Sequence, residues 1–270
     1  MKIQKMALTF AIAAVTCIAG AQETVQVSGS TTVLPVMQKI SESFMKAHPG
    51  VTVELSGGGS GNGIKALVDG LTMIAMSSRQ IKSGEVKLAQ SKSVSPNEIA
   101  IAVDAIVPVV NPENPIKNVS VEQLRNIFTG KIGNWKELGG KDAKIVLVSR
   151  DTSSGTYETW ESLVMNKQRI TPRALLQTSN GAVVQVIAQN PNAIGYVGIG
   201  YLGSAIKALS IDGVSPTTES VLAQKWPLAR ELYLYTNGTP AGEIKKLVDF
   251  SLGTEGQRLV QEVGFIPNEK

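Results

Sequence analysis

Three stretches of the chain combine glycine with side-chain hydroxyls: Ser28-Gly29-Ser30-Thr31-Thr32, Ser56-Gly57-Gly58-Gly59-Ser60-Gly61-Asn62-Gly63, and Ser149-Arg150-Asp151-Thr152-Ser153-Ser154-Gly155-Thr156. Hydroxyls donate short hydrogen bonds, and glycine lets backbone N–H groups approach a ligand closely. Together these types suit the cradling of an oxyanion. Arg150 lies inside the third stretch, and Arg79 ends a further loop, Ser77-Ser78-Arg79. A guanidinium adds charge and a fork of donors that matches two oxygens at once.

The elements that must hold these loops follow from hydrophobic periodicity. Residues 24–27 read as a buried strand, and Leu34, Met37, Ile40, Phe44 and Met45 recur at helical spacing up to Ala47. Residues 51–55 are the next strand, Ile64, Leu67 and Val68 mark a helix, and residues 73–76 a third strand. A longer apolar run at 99–110 ends in Asn111-Pro112-Glu113-Asn114-Pro115, where proline removes the amides that regular structure needs. Beyond it, Ser120 and Gln123 have capping-box spacing at the head of a helix. Strands at 145–148, 194–197 and 229–235 then alternate with helices at 155–165 and 182–188, and helices at 244–251 and 255–263 close the chain. This alternation predicts an α/β architecture of two similar units. Each hydroxyl-rich loop follows a strand and precedes a helix, where free N–H groups and the positive dipole end favour an anion. In such sheets these loops gather at the carboxyl ends of the strands, so loops from both units can converge on one ligand. The competing reading of any single loop is an ordinary helix N-cap.

Other chemistries find little support. Of 270 residues, one is His and one is Cys, which leaves no metal cluster, no disulfide framework and no credible base for a Ser-His-Asp hydrolase. The second loop lacks the Gly-Lys-Ser/Thr ending of a nucleotide phosphate loop. Lys and Arg total 26 against 22 acidic residues, but they are scattered, so no nucleic-acid partner is expected, and no cofactor either. At the N-terminus, Lys2 and Lys5 precede an uncharged stretch that ends at Ala19-Gly20-Ala21. Residues 1–21 therefore read as a secretory signal peptide. Its removal takes away Cys17 and lowers the net charge from +4 to +2. The expected location is the periplasm, or the cell surface if Cys17 carries a lipid anchor. No exposed apolar heptad calls for a partner subunit, so a monomer is expected.

Taken in order, Ser28 to Pro35, Gly57 to Ile64, Met76 to Arg79, Ser149 to Thr156 and Asn192 to Val197 closely resemble the phosphate-binding proteins of bacterial high-affinity phosphate ABC transporters. The resemblance covers nearly the whole chain after the leader. It implies a two-lobed periplasmic-binding-protein fold, two α/β domains joined by a two-stranded hinge, with the ligand cleft between them. The expected bounds are 22–104 with 233–270 for one lobe and 105–232 for the other. The implied role is a non-enzymatic receptor that captures inorganic phosphate and delivers it to permease subunits in the cytoplasmic membrane. By the family pattern the ligands are Thr31 and Thr32, Ser60, and Arg150, Ser154, Gly155 and Thr156, with Ser30 and Gly61 adjacent. The pattern is broken in one place. Many members carry Asp where this chain has Ser78, followed by Arg79, and that carboxylate accepts the proton of hydrogen phosphate and repels sulfate. Ser78 and Arg79 thus join the candidate set, with Arg79 expected to strengthen attraction for the anion. The alternatives are a receptor for another tetrahedral oxyanion or a small phosphorylated compound, and a secreted phosphatase or serine hydrolase.

Overall fold

The computed structural model of the chain describes residues 23–268; the leader read at 1–21, with Cys17, lies outside them. The opening alternation is realised as strand β1 (Glu23–Gly29), helix α1 (Leu34–Ala47), β2 (Val51–Gly57), α2 (Ser60–Val68), β3 (Ile74–Ser77) and α3 (Ser83–Ser91). Helix α1 forms because Pro35 pre-sets its first turn and Val36, Met37, Ile40 and Phe44 make one buried face. The long β4 (Pro96–Val110) follows, then β5 (Asn118–Val119) and α4 (Val121–Thr129). In α4 the expected capping box is present, with Ser120 accepting from the Gln123 amide. Next come β6 (Val146–Arg150), α5 (Gly155–Leu163), β7 (Leu175–Gln177), α6 (Asn180–Gln189) and β8 (Ala193–Gly198). The chain ends through β9 (Lys207–Ala208), β10 (Ser210–Ile211), α7 (Thr218–Leu222), β11 (Ala229–Asn237), α8 (Gly242–Leu252), α9 (Thr254–Glu262) and β12 (Ile266–Pro267).

A ten-stranded sheet runs in the order β2-β1-β3-β11-β4-β8-β6-β7, with β9 and β12 pairing to β4. Its parallel pairs, β1 with β2 and β3, and β6 with β7 and β8, bring the carboxyl ends of β1, β3 and β6 to the loops singled out above. The apolar interior is divided. One core draws on residues from Val25 to Ala102 and again from Leu232 to Phe265, with two small satellite clusters beside it, Leu67, Ala75, Tyr233 and Tyr235 in one and Val68, Ala89 and Val94 in the other; the second core takes residues from Ala105 to Leu228, with Ile266. Strands β4 and β11 carry the chain between the two. They pair antiparallel, with Arg230 opposite Asp104, and their register slips between Leu232 and Tyr233 where β11 passes into the first core. The sheet is therefore continuous while its packing is in two halves.

Several short elements were not foreshadowed. Only Ala89 of α3 is fully buried, so that helix carries no apolar stripe to be read, and β5, β7, β9, β10 and β12 are two or three residues long. Among the described residues, no helix is long and apolar enough to cross a membrane.

Candidate functional site

Hydrogen bonds at the ends of β1, β2 and β3 lock the first two loops together. Gly29 O accepts from Gly58 N at 2.8 Å and Gly59 N at 2.9 Å, and Ser30 N donates to Met76 O at 2.9 Å. Ser30 is buried, and its Oγ accepts from the amides of Thr32 at 3.2 Å and Val33 at 3.4 Å, so it shapes the turn into α1. Ser60 begins α2 and is fully buried; its Oγ accepts from Ser78 N at 3.0 Å and lies 3.3 Å from Ser78 Oγ. No carboxylate takes part in this Ser60–Ser78 contact.

The third loop reaches this cluster from the other half. Gly61 N donates to Ser153 O at 3.0 Å, and Ser153 Oγ to Gly58 O at 3.3 Å. Gly155 opens α5, and a Cβ on it would fall 2.4 Å from Ser60 Oγ and 2.7 Å from Ser78 Oγ; the approach demands glycine. Ser154 is the N-cap of α5 and accepts from Tyr157 N at 3.2 Å, which leaves its own proton for another acceptor. Thr156 Oγ1 lies 2.9 Å from Thr32 Oγ1, across from the other half.

Arg150 ends β6 with 1% exposure. Its Nε donates to Gln177 O and its Nη2 to Thr178 O, both at 3.1 Å. Hydrogen bonding assigns the Asn180 amide oxygen to the point 3.1 Å from Arg150 Nη1, 3.0 Å from Thr32 Oγ1 and 3.2 Å from Thr31 Oγ1. Burial pulls the Arg150 guanidinium below its ordinary value, with Asp151 acting the other way. It remains a cation. Yet Arg150 forms no ion pair among the described residues, although buried charges are ordinarily paired. Nine of the ten candidates thus meet in one place: Ser30, Thr31, Thr32, Ser60, Ser78, Arg150, Ser154, Gly155 and Thr156.

Arg79 requires a correction. Its Nη1 and Nη2 grip the two oxygens of Glu85 at 2.9 and 2.7 Å, and its Nε lies 2.7 Å from Glu158 Oε2. Burial lowers its pKa, but the two carboxylates outweigh that and raise it. Its charge is spent on Glu85 in its own half and Glu158 of α5 in the other, so it adds no free positive potential. The expectation failed because Glu158 is 79 positions away and comes near only through the fold. Three residues went unnoticed in the sequence: Asn180, Asp104 and Arg230. Arg230 Nη2 lies 2.7 Å from Asp104 Oδ2, and donates to Thr156 Oγ1 at 2.9 Å. A charged residue inside each of two apolar strands was the available signal. His48, by contrast, caps α1 and stacks on Phe44.

The profile of the PBP superfamily domain matches residues 15–255. The Bacillus subtilis phosphate-binding protein PstS is 34% identical over 89% of this chain and 79% of its own. A crystal structure from Clostridium perfringens with bound phosphate superposes with a TM-score of 0.87 at 34% identity, over 92% of this chain and all of that one. An ABC-type phosphate transport receptor from Vibrio cholerae gives 0.73 at 32% identity, over 90% of this chain and all of its own.

Proposed function

The chain belongs to the phosphate-binding proteins of the PBP superfamily, and we propose on that footing that it captures inorganic phosphate and passes it to the permease of an ABC transporter. It acts by binding and not by catalysis. One observation carries the reading: Arg150 is a buried guanidinium without a carboxylate partner, set where hydroxyls and helix-leading amides from both halves converge. An anion of tetrahedral shape supplies the missing countercharge and has enough oxygens to engage Thr31, Thr32, Ser60, Ser78, Ser154, Gly155 and Thr156. Ser30 supports the first loop from behind.

The lobes are taken as 22–104 with 233–270 and as 105–232, and closure favours the bound state because contacts to the anion from both lobes exist only when the cleft is shut. The protein works as a monomer outside the cytoplasm, exported through the leader at 1–21, without a nucleic-acid partner. With Ser78 in place of a carboxylate, the ligand's proton is accepted by a hydroxyl, and discrimination against sulfate is correspondingly modest.

Calorimetric titration of leader-free protein, stripped of bound ligand, is the test. One-to-one binding of phosphate is expected, weakened by about a hundredfold or more in Arg150→Gln, the order for removing one partner of a buried charge-assisted contact. Absence of heat from phosphate in the unaltered protein would sink the proposal.

A further inference from the structure

The Asp104–Arg230 pair has features that a merely structural ion pair would not need. Asp104 is fully buried, and the side chain of Arg230 retains only 6% exposure. Both stand opposite each other on β4 and β11, the strands that join the two cores. Burying two charges in a sheet is expensive, and apolar residues of similar volume would ordinarily serve β-structure at least as well. Asp104 is satisfied from several sides: Oδ1 accepts from Ile199 N at 2.9 Å, and Oδ2 from Arg230 Nε at 2.9 Å and Nη2 at 2.7 Å. Arg230 is not. Its Nη1 is buried and has no hydrogen-bond partner, while its Nη2 also reaches Thr156 Oγ1 at 2.9 Å and Thr32 Oγ1 at 3.5 Å.

Building on the phosphate reading, we infer that Arg230, clamped by Asp104, is a positioning residue of the anion site that directs the hydroxyl proton of Thr156 onto the ligand, while the proton of Thr32 is taken within the protein by Thr156 Oγ1 or the Asn180 amide oxygen. A hydroxyl has one proton to donate and lone pairs that accept. When a guanidinium occupies a lone pair of Thr156 Oγ1, that oxygen is polarised and its proton becomes the better donor. This end of the site then offers donors only, so it takes unprotonated oxygens of the anion. The protonated oxygen of hydrogen phosphate is left to the Ser60–Ser78 end, where hydroxyls also accept. Because Thr32 and Thr156 come from different halves and Arg230 from the strand between them, the guanidinium and Thr32 together fix the direction of the Thr156 proton when the cleft is closed.

The experiment replaces the pair by the neutral Asp104→Asn with Arg230→Gln and compares Thr156→Val in both backgrounds by phosphate calorimetry, with circular dichroism as the check on folding. The double variant is expected to bind at least about a hundredfold more weakly. Thr156→Val is expected to cost about tenfold in the native background and less than about twofold once the pair is gone, a coupling that a purely structural role would not produce. Equal loss from Thr156→Val in both backgrounds, or undiminished affinity in the double variant, overturns the inference while the phosphate reading stands. Failure of the unaltered protein to bind phosphate instead removes that reading. Should the neutral pair not fold, Arg230→Lys decides: it keeps the charge opposite Asp104 but loses the fork, and affinity should fall about tenfold, with no change counting against the inference.

Discussion

Gly155 is the residue whose absence of a side chain matters most. Two hydroxyls from the opposite half crowd the place where its Cβ would stand, at 2.4 and 2.7 Å. Under the proposed closure those neighbours press on it only when the halves meet, so the penalty of a methyl group falls on closure and not on the folding of either core. Gly155→Ala is therefore expected to lower phosphate affinity by about tenfold or more while leaving the melting temperature of ligand-free protein within a few degrees of the original. Calorimetry and thermal denaturation followed by circular dichroism check the two halves of that statement. A matching fall in melting temperature would show that the contact also holds up the ligand-free fold.

At the scale of elements, α3 depends on its ends. With only Ala89 fully buried, it gains little from apolar contact, and Asp69 at the end of α2 ties it down by accepting from Lys65 and, at 2.5 Å, from Lys92 at the end of α3. Those hydrogen bonds, from Lys65 first and then Lys92, hold the Asp69 carboxyl down at about 2 against an ordinary 3.8. A carboxylate depressed in the folded state contributes stability above its unfolded pKa and loses it as the pH falls towards the folded one. Asp69→Asn should thus flatten the acid limb of the stability curve between about pH 4 and about pH 2, and speed amide exchange across Ser83–Ser91. Urea titrations over that range and hydrogen exchange measure both, and an unchanged acid limb would refute the argument. The same helix shows why parts of the fold could not be read in the sequence. Long apolar strands and amphipathic helices such as α1 and α9 announce themselves by period, whereas α3 is polar on nearly every face, and two-residue strands are fixed by their neighbours. The hydroxyl loops were legible because composition and position in a strand-loop-helix unit coincide. The partners of Arg79 and Arg230 were not, since cross-strand register and the meeting of two halves decide them.

For the whole molecule, the proposed closure needs contacts that join the two halves. Glu158 on α5 receives Arg79 Nε and Lys82 Nζ, each at 2.7 Å, from the opposite half, and Glu85 steadies Arg79 from behind. Arg79 and Glu158 keep only 8% and 15% side-chain exposure, so this contact is less screened than a surface pair. Glu158→Gln is expected to weaken phosphate affinity about tenfold, chiefly through faster release, and to reduce the sensitivity of that release to salt. Stopped-flow measurements at low and high ionic strength provide the test, and an unchanged release rate would mean that closure does not depend on this contact.

The path of the chain carries a mechanical consequence. Strand β1 and helix α9 both belong to the first core, while the second, apart from Ile266 of β12, is built from the stretch between the crossings of β4 and β11. A pull applied at the two ends of the described chain is borne first by β12, where it pairs with β4, and by β1, then by α9 and its neighbours, and the rest of the second core lies topologically behind them. Once Ile266 has been pulled out, that remainder feels the load only after β4 and β11 have been drawn apart, so unravelling has a built-in order, set by connectivity before any difference in strength between the halves comes into play.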